Sequence, residues 1–403
     1  MNRRQFISYS GIGLAAVAGL SMLDPLAQLP VMSQGKLRNS VKEMHDDISY
    51  LLYMASLAPS GHNVQPWTVR LIDKDHWMLG TDATRWLPVV DPQNRETLIS
   101  IGAFLENLIA SAGVKGYEVE VEVVAKSTKD KEVVQIKLHK IGRPISFDVK
   151  KIELRRTVRN YFLKEKLSKE DVNFLTGENG DSVFYWARES KEGKYLTERT
   201  LLANKLQTYH NAAQEELAKW IRWSKRDSLH YRSGLTPETM EIEGVAKWYV
   251  ENFYSNQSAL TPGFREETIK RVQEQVAAGS GWLLITSKDS SIPELIDTGR
   301  KLQRMWLKVR DREIAIHPMN QMLEEESLRD EIAPALGITD KAQILLRIGY
   351  IRDYPQPISP RMPLANILTR RLWISLIRMS LSIPWAKQCG LITSKAVLFL
   401  ALA

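Results

Sequence analysis

Cysteine is almost missing from this chain: of 403 residues only Cys389 is one, so no disulfide can form within it. Its stability must therefore come from a packed core. There is no C-x-x-C and no H-E-x-x-H, and the seven histidines are scattered, so no metal ion is expected. Acidic residues are absent after Asp353. Neither charge sign dominates: a formal +8 over this length suits a polyanionic ligand or an anionic surface and leaves no reason to expect nucleic acid. What is abundant is ordinary globular material, 44% hydrophobic and 25% charged, in a chain long enough for one large core or two ordinary ones.

The two ends differ from the rest. Arg3 and Arg4 precede an uncharged stretch, Phe6 to Leu23, rich in Gly, Ala and Leu. This resembles a twin-arginine export signal, so residues 1–35 are expected to direct the chain through the twin-arginine machinery to the periplasm or cell envelope. A plain uncleaved anchor is the alternative, and no clear cleavage site follows. Residues 369–403 interleave Arg370, Arg371, Arg378, Lys387 and Lys395 with Leu372, Trp373, Ile374, Leu376 and Ile377. That pattern fits a basic amphipathic tail on a membrane surface, or a helix laid on the protein's own body. The final Ala396–Ala403 run is too short to span a bilayer.

Between the ends, His45–Ala58 has helical spacing and stops at Pro59. Trp67–Leu71 and Trp77–Gly80 read as strands around a polar turn. Asp91-Pro92 opens a helix carrying Arg95-Glu96 in its first turn and ending at Gly113. Tyr117–Val124 and Val133–His139 alternate as strands, closing a first unit, 36–149. A second unit, 150–368, holds a helix start at Ser168/Asp171, strands at Val183–Trp186, Trp282–Thr286 and Gln343–Gly349, a long helical region from Tyr195 to Arg226, and a helix over Ile292–Arg310. Within it, about 209–254 lacks a clean period and reads as a lid-like insertion. The recurring helix–strand order predicts an α+β fold.

Two segments carry chemistry. The loop Ser60–Trp67 offers a hydroxyl, a glycine and three amide- or imidazole-bearing side chains before a proline, suited to the hydrogen-bonding edge of a polar heterocycle. An ordinary turn has the same composition. The cluster Arg155-Arg156-Thr157-Val158-Arg159 places three guanidiniums and a hydroxyl within five residues, enough to surround one phosphate, although a solvated helix end looks the same.

The order of these residues is more specific than their types. Ala58-Pro59-Ser60-x-x-Asn63-x-Gln65-Pro66-Trp67 resembles the A-P-S-x-x-N-x-Q-P-W signature of the FMN-binding nitroreductase family, and Arg155–Arg159 resembles its phosphate-binding R-R-S/T-x-R. The resemblance implies that Ser60, Asn63 and Gln65 contact the flavin. It implies that Arg155, Arg156, Thr157 and Arg159 hold its phosphate, completed by Arg361 in Ser359-Pro360-Arg361. His317, in Ile316-His317-Pro318-Met319, becomes a candidate flavin neighbour, with a helix-end histidine as its alternative. Arg347, within an apparent strand, is read as structural. In ordinary members the arginine motif comes first; here it comes second. That order resembles the fused two-half, Acg-type branch, in which one chain folds as an intramolecular pseudo-dimer. The implied protein is a monomer with an internal pseudo-two-fold. It would bind FMN and take electrons from NAD(P)H to nitro, quinone or similar acceptors. The competing implication is a flavin store with a lid-covered FMN and little turnover. No nucleophile triad or general acid is singled out.

Overall fold

The computed structural model describes residues 47–177 and 180–369. The segments read as an export signal and as a basic tail lie outside the described residues, apart from Thr369.

The fold is α+β, as expected. Helix α1 (Asp47–Ser56) leads through the Ser60–Pro66 loop into β1 (Trp67–Leu71) and β2 (His76–Thr81). Asp91 then caps α2 (Arg95–Val114): its carboxylate accepts the backbone N–H groups of Glu96 and Thr97, and the Thr97 hydroxyl. Strands β3 (Tyr117–Val123) and β4 (Glu132–Lys140) complete an antiparallel sheet of order β1-β2-β4-β3.

After α3 (Lys150–Leu154) comes α4 (Lys169–Gly177), whose first turn is fixed by the Ser168 hydroxyl accepting from Asp171 N at 3.0 Å. Strand β5 (Val183–Ala187) follows, then four helices: α5 (Lys191–Tyr209), α6 (Asn211–Trp220), α7 (Lys225–Tyr231) and α8 (Gly244–Phe253). The helical region anticipated as continuous from Tyr195 to Arg226 is therefore broken twice, at His210 and over residues 221–224. His210 and Ile221 are both extended, at ψ 104° and 132°. The remaining elements are α9 (Pro262–Val276), β6 (Gly281–Ser287), α10 (Ile292–Val309), β7 (Ile314–Pro318), α11 (Gln321–Glu324), α12 (Glu326–Ala335) and β8 (Lys341–Tyr350). The second antiparallel sheet has the order β5-β6-β8-β7. The chain then returns to the first sheet, where Leu368 bridges Val69 in parallel.

The centre of the molecule is the crossing of α2 and α10. A Cβ on Gly102 would stand 1.9 Å from the Ile296 carbonyl oxygen, and one on Gly299 would stand 1.9 Å from that of Ile99. Only hydrogen at both positions lets the two backbones touch. Helix α2 is buried on almost every side, so its apolar run belongs to a core helix rather than to one amphipathic face. Trp67, Phe104, Trp306, Leu295 and Leu346 join the two sheets into one hydrophobic cluster across this crossing.

Candidate functional site

A cavity of about 300 Å³ opens beside the α2–α10 crossing. Its lining comes from stretches far apart in the sequence. The loop after α1 supplies Ser60, His62 and Asn63; the chain after α3 supplies Arg155, Thr157 and Arg159; β7 and the turn after it supply His317 and Asn320. The C-terminal segment adds Arg361, and residues Leu235 and Thr239 arrive from the region between α7 and α8.

The loop is held in an unusual conformation. His62, Asn63 and Gln65 all have positive φ, at 44°, 53° and 53°. Each such residue costs on the order of 1 kcal/mol, with Asn the most tolerant. The strain is offset by a dense bond set. Ser60 Oγ accepts from Gln65 N at 3.0 Å. Asn63 Nδ2 donates to the carbonyls of Gly234 (3.1 Å) and Pro360 (3.2 Å), while its Oδ1 accepts from Arg361 at 2.8 Å. Gln65, fully buried, donates to Arg232 O at 2.9 Å and accepts from Met362 N at 3.0 Å. Asn63 and Gln65 therefore clamp three distant stretches together. Gln65 does not line the cavity. Asn63 does, but both its amide hydrogens are already engaged with protein.

The arginine cluster divides by backbone alternation. Residues 155–159 form neither helix nor strand, Val158 N donates to Ile316 O at 3.2 Å, and alternate side chains fall on opposite faces. Arg155, Thr157 and Arg159 face the cavity. Val158 is buried with Phe162 and Ile351, and Arg156 turns to Glu241, with an Nη2–Oε1 distance of 3.0 Å. Glu241 also accepts the backbone N–H groups of Arg159 and Asn160 at 3.1 and 2.6 Å. Three guanidiniums still converge on the cavity, but the third is Arg361 rather than Arg156.

Those three have no carboxylate partner among the described residues. Arg155 Nη2 and Arg361 Nη2 both donate to Leu57 O at 3.2 Å, just past the C-terminus of α1, where carbonyl dipoles favour cations. Arg155 also lies 4.8 Å over the Trp306 ring. Arg159 Nη1 donates to Thr239 O at 2.6 Å. Burial pulls Arg155 down to about 9, aided by Arg361 beside it, and pulls Arg361 down to about 10. Burial likewise lowers Arg159. All remain cations at neutral pH. The Nε atoms of Arg155 and Arg361, Trp306 Nε1 and His62 Nδ1 are buried without a hydrogen-bond partner among the described residues, a cost that a ligand or water would relieve.

Both cavity histidines are neutral. Burial lowers His62 to about 4, with Arg159 adding to the effect. Burial also lowers His317 well below its ordinary value, followed by Arg347 and Arg159. His317 lies within β7 rather than at a helix end, and its Nδ1 is 3.3 Å from Arg347 Nη2. Neutral Nδ1 accepts there. Arg347, fully buried, also donates to the carbonyls of Gln275 and Arg159, which makes it the structural arginine anticipated.

The sequence reading missed the other wall of the cavity. Glu96, Gln207, Asn320, Gln321 and Glu324 line it, together with Leu302 and Trp306. Burial raises the carboxyls of both Glu96 and Glu324, the latter strongly, with Glu96 as its next cause. No group of three or more His, Cys, Asp or Glu among the described residues could hold a metal ion.

No family model matches the chain. It is similar to "Probable NAD(P)H nitroreductase PigM" of Serratia sp., 23% identical over 340 residues that cover 78% of this chain and 91% of that one. It is equally similar, 23% over 334 residues covering 80% and 95%, to acg of Mycobacterium tuberculosis, which carries a provisional NAD(P)H nitroreductase name. The similarity is to nitroreductases. Among solved structures, a protein of Anabaena variabilis with a provisional nitroreductase name aligns over 81% of this chain and 95% of its own, at 12% identity and TM-score 0.35. The FMN-dependent nitroreductase NfnB of Mycobacterium smegmatis, solved with NADPH, aligns over 55% of this chain and 96% of its own, at 16% identity and TM-score 0.34.

Proposed function

We propose that this protein is an FMN-binding oxidoreductase of nitroreductase type, reduced by NAD(P)H and passing electrons to nitro, quinone or similar acceptors. The observation that carries this reading is the convergence of three guanidiniums on one cavity, none in an ion pair with a carboxylate among the described residues, and two of them, Arg155 and Arg361, buried with an unpartnered Nε. A flavin phosphate brings about two negative charges and three acceptor oxygens, which match that set. The cavity lies within the size range of cofactor pockets, and its remaining lining, a hydroxyl, neutral imidazoles and an indole N–H, suits a polar ring.

Bound there, FMN would supply the hydride chemistry. The chain's own residues do the rest. Arg155, Arg361 and Arg159 anchor an anion with Thr157 beside them. Ser60, whose hydroxyl hydrogen has no acceptor among the described residues, can donate it while its oxygen closes the loop. Asn63 keeps that loop and Arg361 in register. The segment carrying Leu235 and Thr239 narrows the opening and excludes water. Because Glu241 of that segment is tied to Arg156 and to the backbone of 159–160, cavity access is linked to the arginine cluster. The reading extends to a pseudo-dimer within one chain, the first sheet with its loop facing the second sheet with its arginines. It extends also to export through the Arg3-Arg4 signal, which cell fractionation tests. The flavin-store alternative has no observation of its own to favour it, since both curated relatives carry NAD(P)H nitroreductase names.

The test is the absorption spectrum of the full-length protein and its bleaching by NAD(P)H. A yellow protein bleached by either nucleotide and recoloured by menadione supports the reading. A colourless protein that takes up no FMN refutes it, and a yellow one that neither nucleotide bleaches removes the proposed electron donor.

A further inference from the structure

Two carboxyl groups face the same cavity as the arginines yet have no part in holding an anion. Glu96, in the first turn of α2, uses Oε1 to accept from Asn320 Nδ2 and from Arg95 Nη2, each at 2.9 Å. Its Oε2 has no hydrogen-bond partner among the described residues and lies against the loop, 3.5 Å from where a Cβ on Gly61 would stand. Glu324, the last residue of α11, uses Oε2 to accept from Gln207 Nε2 and has no partner on Oε1 among the described residues. Each carboxyl is thus oriented through one oxygen by a carboxamide on a neighbouring element, and the other oxygen is left for the cavity. A second observation points to a ligand beside them: Trp306 Nε1, on a side chain 2% exposed, and Arg155 and Arg361 Nε, on side chains 8% and 3% exposed, are unpartnered on the same cavity.

We propose that Glu96 and Glu324 act together as the proton donor to the electron acceptor, an inference that rests on the oxidoreductase reading above. An acceptor that takes a hydride from reduced flavin must also take one proton. A quinone then becomes a quinol; a nitro group becomes a nitroso group and releases water. The O–H bond of the carboxylic acid breaks, its electron pair stays on the carboxylate, and the proton goes to the acceptor oxygen. Solvent reprotonates the pair before the next turnover.

The surroundings favour a retained proton. Desolvation disfavours charge on both groups, and the Glu96 carboxylate opposes ionisation of Glu324. Arg95 favours ionisation and Asp91 opposes it, both from the start of α2. Asp91 in turn raises Glu216 on α6, which burial raises first and which accepts from Val89 and Val90 N. Glu325, behind Glu324, interacts with His210. The cavity histidines, His62 and His317, are neutral, and the three cavity arginines pair with neither glutamate among the described residues.

The experiment compares the full-length protein with Glu96→Gln and Glu324→Gln, both near-isosteric. All three should carry equal FMN, which separates loss of fold or of cofactor from loss of the proton donor. The wild-type-minus-variant infrared spectrum at neutral pH should contain the C=O stretch of a protonated carboxyl, shifted in D2O, for both variants. With the flavin pre-reduced by dithionite, menadione reduction by wild type should fall as pH rises through the titration of the pair. The variants should be slower by about a hundredfold and lose that dependence. Absence of the carboxyl band, or a pH profile shared by wild type and variants, overturns the proposal. A wild type that binds no FMN overturns it through the underlying reading, and the infrared band then still decides whether the pair holds a proton.

Discussion

The cavity arginines can be separated from ordinary buried arginines by the sign of one substitution. Holding Arg155 as a cation, pulled from 12.5 to about 9, costs about 5 kcal/mol at neutral pH. Replacing it with Met removes that cost, and also removes one charged hydrogen bond and the contact with Trp306, together about 3 kcal/mol. Arg155→Met should therefore stabilise the ligand-free protein by about 2 kcal/mol, read as a rise of several degrees in melting temperature. With FMN present the order should reverse. Losing a charge-assisted contact to the phosphate weakens binding by about 3 kcal/mol, near a hundredfold in Kd, and saturating FMN should protect wild type but not the variant. The assay is thermal melting with and without FMN, repeated with inorganic phosphate. If Arg155→Met melts lower than wild type without ligand, and FMN shifts both equally, the arginine is structural and the reasoning fails. Arg361, lowered to about 10, should behave likewise with a smaller ligand-free gain, because its removal also frees Asn63.

Arg156 should give the opposite result. Arg156→Ala leaves the Glu241 carboxylate buried without its cation, costing about 3 kcal/mol in urea unfolding while altering FMN affinity little, and Glu241→Gln in the same chain should recover much of the loss. The neutral histidines set an acid limit. The unfolded chain protonates near 6.5 whereas folded His62 resists until about 4, so its contribution is complete above 6.5 and is lost as pH falls through that window, by about 3 kcal/mol. His62→Gln should flatten urea midpoints measured from pH 7 to 4, and His317, lowered by burial too, should leave a residual slope of the same sign. At the helix crossing, Gly299→Val must push against the Ile99 carbonyl and should cost about 3 kcal/mol or more, with flavin content falling alongside melting temperature.

Elements whose boundary residues act locally were legible from sequence. Asp91 caps α2 through residues five and six positions on, Ser168 caps α4 within one turn, and β3 and β4 alternate plainly. What failed were features decided at a distance. Pro262–Val276 is mostly polar, so no apolar stripe announced α9. His317 stands in β7 because Ile316 and Ile348 pair across the sheet, which a short Ile-His-Pro segment does not disclose. Glu324 is the first of three glutamates, Glu324-Glu325-Glu326, a run that reads as a solvated face. Only the packing of α11 against α5 takes the first of them inside. Asn63 was legible as a residue of the site, but the clamp it forms with Gly234 and Pro360 depends on segments 171 and 297 residues away.

The pentapeptide 155–159 joins these two kinds of information. Its composition suggested three guanidiniums and a hydroxyl around one phosphate, and composition has no direction. The backbone, held by Val158 bonding to β7, sends odd and even positions to opposite sides. The fold had an acid available for pairing, since Glu241 lies against this segment. It pairs with Arg156, whereas Arg155 and Arg361 are left buried with only carbonyls, an amide oxygen and an indole ring. A cation held that way is a loss in the ligand-free protein and a gain once an anion arrives. The unequal treatment of adjacent arginines therefore bears more strongly on ligand binding than the motif does, because burial and partners can be perturbed one residue at a time.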